Sequence, residues 1–133
     1  MTKPAINAAG KRELIIPALS GCPLIGRIWT GRTRKEVADE YLEYNYRHGV
    51  LEIERKPGNL GVQSFRRILG DVAEFTTISY WESMEAMQAM HGDRGDVRRV
   101  SHLPRDPEYL LELPEFVEIT ELHANDWRLS GPD

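Results

Sequence analysis

The side chains with most to offer a reaction in this sequence are three histidines, His48, His91 and His102, with Tyr44, Trp81 and Met87 spaced to stand near them. Imidazole takes up and returns a proton near neutral pH, which makes it the ordinary general base. Tyr44 and His48 lie four residues apart on a stripe that begins with Val37 and Tyr41, so one side of one helix carries all four. Burying that stripe turns the His48 ring inward and keeps it uncharged, ready to accept a proton. His48 is therefore the first choice of base, with His91 and His102 in reserve. Met84, Met87 and His91 form a second stripe, and Trp81 ends the strand before it. A flat ring and pliable thioethers could thus wall a pocket for a small apolar ligand. Each residue also has a plain structural use. A histidine in the last turn of a helix can face its terminal carbonyls, methionines fill cores, and a tryptophan at a strand end seals one.

Other chemistries lack their residues. No Ser-His-Asp order, metal-spaced His/Cys cluster, phosphate-binding glycine loop or dinucleotide fingerprint occurs, so hydrolase, metal and nucleotide readings lose their basis. A formal charge of -4, with arginines interleaved among carboxylates, leaves no basic face for a nucleic acid. Arg66 and Arg67 read as surface or interface charges. No apolar run nears the roughly 20 residues that span a bilayer. The N-terminus lacks a signal-type apolar core, and Cys22, the single cysteine, has no internal disulfide partner. The expectation is a cytoplasmic protein without membrane or nucleic-acid partners.

These groups need elements to hold them, and 133 residues suffice for one core. The clearest stretch runs from Pro57 to Gly92. A turn at Pro57-Gly58-Asn59 opens strand 60–68, Gly70-Asp71 turns the chain, strand 72–81 follows, and Ser83 caps a helix ending at Gly92. Upstream, 24–31 reads as a strand. Thr33 and Glu36 form a capping box for a helix from about Arg34 to His48, with Gly49 in the left-handed position that ends it. Residues 50–56 suit a short helical turn closed by Pro57, Asp106-Pro107 caps a short helix over 108–111, and 115–123 alternates as a fourth strand. Both faces of the hairpin mix apolar and polar groups. One face is thus expected to be buried yet partly wet, with Trp29, Val62 and Phe65 needing cover from a second subunit.

The order β, α, β, β, α, β describes an α+β, ferredoxin-like fold with an antiparallel four-stranded sheet. The domain occupies 24–123, with an N-terminal tail or extension over 1–23 and a C-terminal tail over 124–133; within the first, the apolar run 14–16 could add a short strand. The segments RIWTGRT, YLEYNYRHGV, PGNLGV and AEFTTISYWESMEAM resemble those of the dimeric α/β-barrel proteins of the antibiotic biosynthesis monooxygenase type. The resemblance covers roughly Leu24 to His123 and implies a homodimer whose sheets pack face to face. It also implies a choice of chemistry. The family's haem-degrading branch carries an asparagine, a tryptophan and a histidine where Gly26, Met90 and Val100 stand here, so haem is not expected; His91 and His102 are what remains for axial ligation. A monooxygenase without cofactor, acting on a small aromatic or polyketide-like metabolite, is the first reading. Its pocket would use Tyr44, His48, Trp81, Met87, His91 and His102. The alternative is a non-catalytic dimer that binds a small apolar ligand.

Overall fold

A computed structural model of the chain describes residues 11–12, 24–92, 95–124 and 129–130. The elements are β1 (Lys11–Arg12), β2 (Leu24–Arg34), α1 (Ala38–Asn45), α2 (Leu51–Glu54), β3 (Asn59–Leu69), β4 (Val72–Trp81), α3 (Met84–His91), α4 (Asp106–Tyr109), β5 (Glu118–Leu122) and β6 (Leu129–Ser130). Four strands form an antiparallel sheet in the order β3-β4-β2-β5, the ferredoxin-like arrangement expected. Short β1 and β6 pair with each other, so both terminal segments contribute a strand; the run 14–16 lies outside the described residues. No described helix is long and apolar enough to cross a membrane.

The hairpin follows its sequence signals closely. Gly70 at φ 64° makes the turn between β3 and β4, a conformation without steric cost only for glycine. Asn59 and Gly61 flank a register shift that bends the start of β3. Ser83 is the N-cap of α3, its hydroxyl accepting from the Ala86 amide at 3.1 Å, and Gly92 ends the helix at φ 67°.

The first helix departs from expectation at both ends. Thr33 caps nothing: it remains in β2 opposite Ala73, buried, and its hydroxyl donates to the Arg34 carbonyl. The strand runs further than its apolar residues suggest because β4 offers a partner as far as Val72. Helical structure starts with a 3-10 turn at Lys35–Val37 and does not stop at Gly49. That glycine lies in a π-helical stretch, Tyr46–Val50, without positive φ, and the chain continues directly into α2. The short helix at Asp106–Tyr109 starts two residues earlier than its sequence pattern predicts, and the last strand is confined to Glu118–Leu122.

The helices cover one face of the sheet. On β4 that face presents Ala73, Phe75, Thr77, Ser79 and Trp81, all buried. Cross-strand register places Ile25, Arg27, Trp29, Gly31 and Thr33 of β2 on the same side, together with Val62, Ser64 and Arg66 of β3. Trp29 and Val62 therefore point toward the helices and need no second subunit; of the three residues expected to require one, Phe65 alone lies on the open face, half exposed. Arg66 reaches across to Asp39 of α1 at 2.6 Å, whereas Arg67 on the open face pairs with Glu74 of the neighbouring strand.

Candidate functional site

The buried strand face carries its bulk at Phe75 and Trp81 and is small between them, and this leaves room for a cavity. At one end Phe75 packs with Ala38, Tyr41, Tyr109 and Leu110; at the other Trp81 packs with Ile25 and Met87. Between them stand the smaller Thr77 and Ser79, both buried. A cleft of about 270 Å³ lies over this middle stretch. Arg27, Trp29 and Thr77 form its floor. Asn45, His48, Gly49, Val50, Glu52, Ile53 and Lys56 give one wall, Met90 and His91 another, and the segment Val100 to Leu103 with Asp106 completes it.

The three histidines do meet at this cleft, but not in the ranking that the sequence suggested. His48 is exposed, so the inward burial that made it the first choice is absent. Its ring instead lies 4.9 Å from that of Tyr44, at the mouth. The π-helical stretch accounts for this, because widening the helix takes His48 off the buried line through Ala38, Tyr41 and Asn45. His102 is also exposed, whereas His91 is buried at 2% exposure. Position 26, compared above with the haem-degrading asparagine, faces away from the cleft. A Cβ on Gly26 would meet Thr120 and Tyr80 on the open side, and Arg27 and Trp29 are the residues that β2 directs inward.

Tyr44, Trp81 and Met87 lie behind the cleft rather than along it. Trp81 and Met87 are fully buried in one core cluster, and the Trp81 indole donates to the Ser79 hydroxyl at 2.9 Å. Tyr44 stacks loosely on Tyr41 and Tyr109, and its hydroxyl accepts from the Arg105 amide. A sealing tryptophan and a core methionine were the plain alternatives for these positions.

Several groups in the site carry little sequence signal. The Arg27 guanidinium, on the central strand, donates to the carbonyls of Val97 and Arg99 at 3.1 Å each and so pins the segment that leads into the cleft wall. Asp106 fixes the other end of that wall. Its carboxyl, buried at 3% exposure, accepts the Tyr41 hydroxyl on one oxygen and the Leu103 amide on the other, both at 2.9 Å. Burial, with the nearby Asp106 charge and hydrogen bond adding to it, drives the Tyr41 phenol far above its ordinary pKa. A cue was available on β4, where Thr77 and Ser79 stand between Phe75 and Trp81 on the inward face. Among the described residues, no group of three histidine, cysteine or acidic side chains is placed to hold a metal ion.

A family model for antibiotic biosynthesis monooxygenases matches residues 25–95. A crystal structure from Bacillus cereus under the same family designation superposes with a TM-score of 0.55, at 12% identity, covering 77% of this chain and 95% of its own, which is a likeness of fold. MhuD, a haem-degrader from Mycobacterium tuberculosis solved with two haems bound in its active site, is 24% identical over 74% of this chain and 94% of its own, with a TM-score of 0.47. No curated protein matches significantly.

Proposed function

The chain belongs to the antibiotic biosynthesis monooxygenase family, and from that premise we propose a cofactor-independent monooxygenase that acts on a small aromatic or polyketide-like metabolite in the cleft between helices and sheet. The observation that carries this reading is a buried histidine, His91, lining a cleft that also offers an aromatic floor in Trp29 and apolar walls in Ile53, Met90 and Leu103. At about 270 Å³ the cleft falls just under the ~300–1,000 Å³ typical of ligand pockets, a size for a compact fused aromatic. Haem is not part of this reading: Met90 and Val100 line the cleft with apolar side chains where the resemblance to the haem-degrading branch implies tryptophan and histidine, and the histidines that border it, His48, His91 and His102, stand at other positions.

In the proposed reaction His91 removes a proton from a phenol-like substrate held against Trp29, leaving an electron-rich anion. That anion reduces dioxygen at an activated ring methylene. One oxygen atom becomes the product carbonyl, and the other leaves as water with the two methylene hydrogens. In this reading His48 and His102, both exposed and lining the cleft, exchange the proton with solvent. The sheet's open face, where Phe65 and Leu69 are each nearly half exposed, is proposed as the surface that a second copy covers.

Oxygen uptake with 1,8-dihydroxyanthrone as substrate tests the reading. Catalytic uptake that falls about a hundredfold or more in His91→Gln, with unchanged folding by circular dichroism, is the expected result. Uptake indifferent to His91→Gln removes the assigned base. Tight binding of the anthrone with no uptake at all would favour the non-catalytic binding protein instead.

A further inference from the structure

We propose that the ligand of this cleft is a carboxylate-bearing aromatic, a small organic anion held by its charge at the mouth and by its ring on Trp29. This rests on the reading of the cleft as the ligand site and adds the chemical class of the ligand. The protein as a whole is acidic, with 21 carboxylate residues against 17 lysines and arginines. The cleft does not share that acidic excess. Arg27 and Lys56 match Glu52 and Asp106 in number, and Glu52 is already offset by Arg55, so positive charge leads there, with His48, His91 and His102 beside it. Three of the four histidines in the chain converge there.

The two acidic residues are turned to other work. Asp106 has both oxygens engaged, by the Tyr41 hydroxyl and the Leu103 amide, inside the protein. Glu52 lies one helical turn from Arg55 and pairs with it at 3.2 Å. The Glu52 charge is thereby offset by Arg55, and the Asp106 charge is set back in the interior at 3% exposure, which leaves Lys56 to act at the rim. Lys56 stands at the mouth in the turn that follows α2, exposed, and among the described residues no hydrogen bond or ion pair holds its ammonium group. An ammonium at the rim of a low-dielectric cleft draws in a carboxylate and orients it, leaving the apolar ring to enter between Ile53, Met90 and Leu103. A neutral ring would gain the second part alone.

Titration calorimetry on the full chain with two probes, 5-hydroxy-1-naphthoate and 1-naphthol, isolates the carboxylate, since both carry the same ring and a hydroxyl free of any internal hydrogen bond. The expected result is roughly tenfold tighter binding of the acid, a preference that shrinks with added salt. Lys56→Gln abolishes the preference without weakening 1-naphthol, and Lys56→Arg retains it. Equal binding of the two probes, or an acid preference untouched by Lys56→Gln, overturns the anion assignment while leaving the cleft as a ligand site. Absence of binding by either probe overturns both the assignment and the ligand-site reading on which it depends.

Discussion

Replacing Tyr41 by phenylalanine tests the polar tie that closes the cleft wall. Tyr41 is fully buried and donates to Asp106 at 2.9 Å, with Asn45 donating to the same hydroxyl at 3.4 Å. Removing the oxygen keeps the ring contacts with Phe75 and Tyr109, whose centroids lie 5.1 and 5.4 Å away, so little packing is lost. What goes is a hydrogen bond to a charged acceptor, worth about 1.5–3 kcal/mol, with one Asp106 oxygen left short of a donor in the interior. The loss at neutral pH is therefore about 2 kcal/mol, or roughly 8 °C in melting temperature for a chain of this length. A second signature comes from pH. The Tyr41 pKa is raised in the folded state, so above about pH 10 the unfolded chain releases this proton while the folded chain retains it, and stability falls as pH rises. The phenylalanine variant has no such proton to lose. Its deficit relative to the parent should shrink by about 1 kcal/mol between pH 10 and 11, because other raised tyrosines such as Tyr80 contribute equally to both proteins. Urea denaturation at pH 7, 10 and 11 measures both quantities. A neutral substitution, or a deficit constant with pH, refutes the account of this tie.

Three further outcomes follow from single residues. Ser83→Ala removes the hydroxyl that accepts from Ala86 and should cost about 1 kcal/mol in chemical denaturation. Gly49→Ala should stabilise by roughly 0.5–1 kcal/mol, since Gly49 has no positive φ and a Cβ there meets Asn45 and Leu103 at an ordinary 3.5 Å; a left-handed cap would instead make the same change destabilising. Asp96 accepts from both the side chain and the amide of Arg98, which lowers its pKa to about 2; carboxyl-detected NMR titration should find that midpoint and see it rise in Arg98→Gln.

How far the fold could be read depended on whether a signal was local. The β3–β4 hairpin and α3 were legible because each boundary is fixed by a residue acting on its immediate neighbours: Gly70 at the turn, the Ser83 hydroxyl on Ala86, Gly92 at the helix end. The start of the first helix was misread because Thr33 and Glu36 satisfy a capping pattern that tertiary pairing overrides. Opposite Thr33 lies Ala73, and Leu110 bridges to it from a residue 77 positions along the chain. Nothing within a helical turn of Thr33 reveals either partner. Gly49 misled for a related reason: a glycine after a histidine at the end of an apolar stripe matches a terminus, yet here the helix widens into a π turn and proceeds.

The site was legible in its residue types more than in its geometry. Helical stripes singled out His48 and His91, and His102 was named only for its nearness in sequence to the second of those helices; all three line one cleft. Which of them is buried depends on where the sheet provides cover, and that follows from the run of side chains along β4. Phe75 and Trp81 fill the space beneath the helices at either end, so Tyr41 at one and Met87 at the other are sealed into core. Thr77 and Ser79 leave the middle unfilled, and His91, at the last turn of α3, borders that gap from the covered side while His48 borders it from solvent. The difference in burial between His91 and His48 thus traces to small residues on a strand. Filling the gap by Thr77→Leu should close the cleft without replacing any imidazole.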